Sequence, residues 1–203
     1  MADKKLAVLL SGRGSNFVAI ADNIARGRLS GCRINVVISD KMSAGGLDEA
    51  RQRGIDTLVF PRKNYDTKQA WEGAMIAAIE DRSIDYIILA GFMRILGDAF
   101  VESFPQRILN IHPSLLPSFI GLDAQRQALE YGVRYSGCTV HFVTSDLDAG
   151  PIIVQKVVPV HSDDDEESLS RRILEQEHIA YSEAIDLIVN RGFIIQGRRV
   201  ELQ

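Results

Sequence analysis

Residues 110–117 read Asn110-Ile111-His112-Pro113-Ser114-Leu115-Leu116-Pro117, directly after the run Arg107-Ile108-Leu109. The apolar run predicts a buried strand over 107–111 that stops at Pro113, because proline lacks the ladder donor and fixes φ. Residues two apart on a strand face the same way, so Asn110 and His112 project together from its carboxyl end. A parallel α/β sheet presents its chemistry at that end. Taken alone, the octapeptide reads more readily as a histidine that only makes structural hydrogen bonds.

Upstream, the pattern alternates between short apolar runs and helical spacing. Residues 5–10 alternate little and read as a central strand covered on both faces, with Leu6–Leu10 apolar. It is followed by Ser11-Gly12-Arg13-Gly14-Ser15-Asn16 and then by Phe17–Ala25 at helical spacing. Two glycines allow close backbone approach, and amides at a helix start form an anion nest, so this loop points to phosphate; a tight strand-to-helix turn capped by Ser15 or Asn16 is the alternative. It is neither a dinucleotide fingerprint nor a Walker A loop. Further strands are predicted at 33–39, 57–60 and 86–90, and helices at 44–53 and 67–81, the latter with Ala70, Ala74, Ile76, Ala77 and Ile79 toward the core. The apolar loop Gly91–Leu96 either packs in the core or forms a flat wall for a ring-bearing ligand.

Downstream, a helix is predicted over 121–131, then two longer strands at 135–143 and 151–160 that read as an antiparallel pair. The acidic run 163–167 complements the dipole of a long final helix, with too little ligand spacing for calcium. In that helix Leu169, Ile173, Ala180 and Ala184 form a stripe, and Glu177 falls on it. An inward carboxylate costs several kcal/mol unless partnered, so Glu177 either reaches a ligand or lies on a solvated edge. Residues 193–202 suggest a hairpin turning at Gly197-Arg198. The whole predicts an α/β fold: a doubly wound, Rossmann-like, mostly parallel sheet with antiparallel strands added in the C-terminal half and helices on both faces. No linker or repeat divides it, so 1–203 reads as one domain with halves at 1–105 and 106–203.

Composition narrows the function. At 203 residues, with a net charge of −4 and no basic run, nucleic acid is not expected as a partner. No window approaches 18 uninterrupted apolar residues, and the N-terminus leads straight into the first strand, so a cytoplasmic location away from membranes is expected. Cys32 and Cys138 are far apart and read as buried hydrophobes. The four histidines form no metal-ligand cluster, so no metal is expected. No nucleophile elbow surrounds Ser114, and His141, mid-strand beside Phe142, reads as a supporting group.

Taken together, Ser11–Asn16, Ala90–Leu96, Leu109–Pro117, Ser136–Val143, Leu147–Ile152 and Gln176–His178 resemble the folate-dependent formyltransferases over nearly the whole chain. The Ser-Gly-x-Gly-Ser-Asn loop and the short length narrow the resemblance to the branch that acts on a ribonucleotide in purine synthesis. It implies transfer of a formyl group from 10-formyltetrahydrofolate, as co-substrate, to the primary amine of glycinamide ribonucleotide. It implies the substrate phosphate and nucleotide at Gly14, Ser15, Asn16 and Glu177. The folate is implied at Met93, Arg94, Ile95, Leu96, Asn110 and the 144–148 loop, with Lys68 standing where the family has a basic residue near the folate. Asn110, a protonated His112 and Asp148 are the implied catalytic residues, with Asp148 raising the His112 pKa and holding a water that shuttles protons. A monomer or weak homodimer is expected. The alternative is a hydrolase that releases formate from 10-formyltetrahydrofolate, water replacing the amine. Ile120 and Gln125 depart from the family's proline and histidine, which predicts a more mobile 118–126 loop.

Overall fold

The computed structural model describes residues 3–203. They form two compact units that divide between Leu109 and Asn110. In the first, strands β1 (Lys4–Leu10), β2 (Cys32–Ser39), β3 (Asp56–Val59) and β4 (Tyr86–Leu89) lie in the order β3-β2-β1-β4. All three pairings are parallel. Leu6 through Leu10 have no exposed surface, which explains their unbroken apolar run: a central parallel strand has no solvent face on which to place polar residues. Helices α1 (Ser15–Ala25), α2 (Gly45–Gln52) and α3 (Lys68–Asp81) alternate with these strands, with α4 (Asp98–Ser103) after β4.

Expectations for α1 and α3 are corrected. Neither Ser15 nor Asn16 caps α1; the N-cap is Gly14, with φ 76° and no side-chain capping bond. In α3 the buried positions are Trp71, Met75 and Ile79, with Glu72 beside them, while Ala70 and Ala77 are exposed. Spacing of i, i+4, i+8 puts the three large side chains on one stripe, and large side chains gain more from burial than alanines. Thr67 caps this helix by accepting from the Ala70 amide at 3.0 Å, and Trp71 Nε1 donates to the Phe60 carbonyl at 2.7 Å.

Strand β5 (Ile108–His112) straddles the division. In the second unit it is followed by α5 (Ala124–Tyr131), β6 (Tyr135–Phe142), β7 (Ile152–Pro159), α6 (Glu166–Asn190), β8 (Phe193–Gln196) and β9 (Arg199–Leu202). The strand order is β5-β6-β7-β9-β8, with β6–β7 and β8–β9 antiparallel, as the hairpin readings expected. Helix α5 begins three residues later than expected, because Gly121 (φ 82°) and Asp123 (φ 57°) are left-handed and cannot continue a right-handed helix. The start of α6 carries a capping box: Asp165 accepts from the Ser168 amide while Ser168 Oγ accepts from the Asp165 amide. Leu169, Ile173, Glu177, Ala180 and Ala184 are all buried on α6, so the solvated-edge reading of Glu177 is corrected.

Candidate functional site

In the first unit the carboxyl end of β1 leads into the glycine loop. A Cβ at Gly14 would lie 3.1 Å from both Gly46 Cα and Leu10 Cδ2, so the backbone passes close to the start of α2 and the left-handed turn admits glycine best. The first intrahelical bond is Val18 N–H to the Gly14 carbonyl. The amides of 15–17 therefore lie in the helix's first turn, outside its internal ladder, and point where the dipole favours an anion. Gly14, Ser15 and Asn16 are together at this turn.

The loop 91–97 is fastened along its length. The Gly91 carbonyl accepts from the Ser11 amide at 3.0 Å, and Ser11 Oγ accepts from the Met93 amide at 2.9 Å. Arg94 Nε donates to Asp40 Oδ2 at 2.7 Å, with the Asp40 side chain fully enclosed. The Gly97 amide donates to Glu72 Oε1 at 2.7 Å, and Lys68 Nζ lies 3.7 Å from that oxygen. Met93 and Ile95 are 67% and 70% exposed. The backbone is thus held while apolar side chains are presented outward, so core packing does not explain them. Ser11, Asp40 and Glu72 were missed by sequence reasoning, because such residue types are ordinary at strand ends and on helices and no local signal marks them.

In the second unit β5 ends with half-buried Asn110 and His112, 5% exposed. His112 Nδ1 lies 3.4 Å from Asp148 Oδ2, both side chains being nearly enclosed. Its Nε2–H donates to the Phe119 carbonyl at 2.8 Å. Both ring nitrogens thus face oxygen atoms, a carboxylate on one side and a carbonyl on the other. Asp148 also accepts from the Gly121 amide at 3.0 Å, and its φ of 48° is a conformation that Asp tolerates better than most residues. The 118–126 loop is tied further by Gln127 Nε2, which donates to the Leu122 carbonyl at 2.7 Å. Asn110 Nδ2 lies 3.3 Å from His141 Nε2, and His141 Nε2 lies 3.8 Å from Asp148 Oδ1. Burial lowers the His141 pKa, against the raising influence of the Phe142 carbonyl and Asp148. Burial and then Glu177 push the Cys138 thiol up to about 12, so that sulfur is no nucleophile at neutral pH.

Asn110, His112 and Asp148 thus come together, with His141 added. A fixed amide, an imidazole and a carboxylate in a nearly enclosed setting suit stabilisation of an oxyanion and transfer of a proton. Among the described residues, no group of three His, Cys, Asp or Glu could hold a metal ion.

The formyl transferase family model matches residues 4–185. The chain belongs to the formyl transferase family. Among its relatives is phosphoribosylglycinamide formyltransferase of Escherichia coli (strain K12), 45% identical over 176 residues, which cover 87% of this chain and 82% of that protein. The human trifunctional purine biosynthetic protein adenosine-3 is 46% identical over 186 residues, 92% of this chain, and the chain spans only 18% of its length. The crystal structure of glycinamide ribonucleotide transformylase 1 from Symbiobacterium toebii superposes with a TM-score of 0.95 at 48% identity, covering 98% of this chain and 94% of that one. A formyltetrahydrofolate deformylase from Pseudomonas syringae pv. tomato shares the fold (TM-score 0.91) at only 25% identity, and this chain covers 66% of it. The formyl transferase fold is Rossmann-like α/β, mostly parallel with antiparallel strands toward the C-terminal end, as expected from the alternation of elements.

Proposed function

We propose that this formyl transferase carries the formyl group of 10-formyltetrahydrofolate to the primary amine of glycinamide ribonucleotide, a step of purine synthesis. The observation that carries the reading is the trio Asn110, His112 and Asp148, in which His112 faces the Asp148 carboxylate on one side and directs an N–H from the other. The amine attacks the formyl carbon and forms a C–N bond; the carbonyl oxygen becomes a tetrahedral oxyanion. Asn110 Nδ2–H and His112 Nε2–H are its donors. The N–H that His112 gives to the Phe119 carbonyl is the one the oxyanion receives, so substrate displaces that carbonyl. A water held by Asp148 takes a proton from the attacking nitrogen and returns one to N10 of the folate as the C–N10 bond breaks, so protons balance.

The substrate phosphate is assigned to the amides at Gly14, Ser15 and Asn16, and the nucleotide also to Glu177. The left-handed Gly14 at the N-cap of α1, and the close backbone approach there, support this. The folate is assigned to Met93, Arg94, Ile95 and Leu96, with Lys68 nearby and Asn110 toward the formyl group; the exposed Met93 and Ile95 support this wall. Residues 1–203 act as one formyltransferase domain, a monomer or weak homodimer in the cytoplasm, without nucleic acid or membrane as partner. No described helix is long and apolar enough to cross a membrane, and the net charge of −4 disfavours a polyanion.

The test is an absorbance assay of 10-formylfolate turnover with and without glycinamide ribonucleotide. Turnover that requires the ribonucleotide is expected. Formate release at full rate without any amine would establish the hydrolase instead, which the 25% identity to the deformylase disfavours.

A further inference from the structure

His141 is 2% exposed, and the proposed chemistry gives it no step. Its ring nitrogens face partners of opposite kind. Nδ1 lies 2.9 Å from the Phe142 carbonyl, an oxygen that only accepts, so Nδ1 carries a hydrogen. Burial is the largest influence on this ring and favours its uncharged form, so Nε2 keeps a lone pair. Nε2 lies 3.3 Å from the side-chain amide of Asn110. Only the NH₂ end of that amide can meet a lone pair; the carbonyl end would set two acceptors against each other. The orientation of Asn110 is therefore dictated from β6. One of its two N–H groups is spent on His141, and the second, with Oδ1, is left for other partners.

We infer that His141 is a positioning residue: by accepting one N–H of Asn110 it fixes the amide so that the other N–H is aimed as an oxyanion donor. This rests on the formyl-transfer reading for its consequence, though not for its geometry. An amide free to turn by 180° would offer the developing oxyanion a carbonyl oxygen half the time, and a repelling group there is worse than none. Asp148 Oδ1, 3.8 Å from His141 Nε2, is the competing partner. A charged His141 would turn its Nε2–H toward that carboxylate, and Asn110 would lose its acceptor.

Two measurements test this. Long-range ¹H–¹⁵N spectra of the whole protein at pH 7 report the tautomer of each histidine, with His141 assigned by its loss in His141→Gln. A neutral Nδ1–H form is expected; an Nε2–H tautomer or an imidazolium overturns the inference. This needs no turnover, so it fails or holds separately from the formyl-transfer reading. The second measurement is a cycle of His141→Leu and His141→Gln in the unaltered and Asn110→Ala backgrounds. Loss of one oxyanion donor is worth roughly 10²–10³ in kcat, so His141→Leu is expected to lower kcat by about tenfold to a hundredfold with both KM values nearly unchanged. His141→Gln, whose amide oxygen reaches as far as Nε2 and can accept, restores much of it. In Asn110→Ala, His141→Leu has no further effect. Equal losses in both backgrounds, or a Gln variant as poor as Leu, overturn the inference. Should His141→Leu fail to fold, the Gln variant in the two backgrounds and the tautomer decide it.

Discussion

Replacing Asp148 by Asn removes one charge and little else. Its φ of 48° is left-handed, a region that Asn tolerates and Ala resists by about 1–2 kcal/mol, so the backbone of the loop is undisturbed. The Gly121 amide, which donates to Asp148 Oδ2 at 3.0 Å, finds an acceptor in the Asn Oδ1 as well. What disappears is the anion 3.4 Å from His112 Nδ1, with both side chains under 10% exposed. In the proposed mechanism that carboxylate orients the His112 ring, so without it the oxyanion loses an aligned donor. Removal of one such donor lowers kcat by roughly 10²–10³. The expected result is therefore a kcat reduced in that range, a glycinamide ribonucleotide KM within about twofold of the original, and an unaltered thermal transition. Steady-state kinetics with both substrates varied, alongside a melting curve, read all three. A kcat within a few-fold of the original would refute the pairing as the source of catalysis; a parallel collapse of binding would refute the separation of roles.

Three further outcomes follow from other contacts. Glu72→Ala orphans the Gly97 amide that Glu72 holds at 2.7 Å; a hydrogen bond to a charged group is worth about 1.5–3 kcal/mol. The KM for the folate should rise by about tenfold or more while the nucleotide KM stays put, and an unchanged folate KM would sink the clamp. Gly14→Ala forces a Cβ into a left-handed turn 3.1 Å from Gly46 Cα and Leu10 Cδ2. It should weaken ribonucleotide binding by at least tenfold in calorimetry, with a lower melting temperature, and unaltered affinity would remove the phosphate from this loop. Asp164 accepts from both terminal nitrogens of Arg172, which holds its carboxyl well below the usual carboxylate range. A depressed folded-state pKa contributes stability that is present above about pH 4 and lost as pH falls below it. Denaturant titrations of Asp164→Asn should therefore show a shallower loss of stability between about pH 5 and 2 than the unaltered protein; equal slopes would assign that acid sensitivity elsewhere.

How much of this was legible in the sequence depends on the range of the interactions. The parallel strands were, because a strand buried on both faces must be apolar along its length, as Leu6–Leu10 is. Asn110 and His112 were legible as a pair because strand period two is local. The core face of α3 was not: alanine fits either face of a helix, and the volumes of Trp71, Met75 and Ile79 decided which one turned inward. Helix α4 is six residues long, too short for a period to show. Asp148 came only from resemblance, since no spacing rule links a left-handed loop residue to a histidine 36 positions earlier.

The supports of the site were least legible of all, for a physical reason. Ser11, Asp40 and Glu72 act by fastening a loop that lies 25 to 82 positions away in the chain. Their residue types are ordinary at strand ends and on helices, so the sequence around each gives no sign of an unusual demand. His141 is the same case one step nearer the chemistry. On a buried strand it could have been any apolar residue, and what marks it is the pair of opposed requirements on its ring: a hydrogen toward the Phe142 carbonyl and a lone pair toward Asn110. Neutral histidine meets both, and few other side chains do. In the proposed mechanism an amide that must donate in one direction needs something rigid to accept in the other, and the buried His141 ring, 3.3 Å from Asn110 Nδ2, is placed to do so.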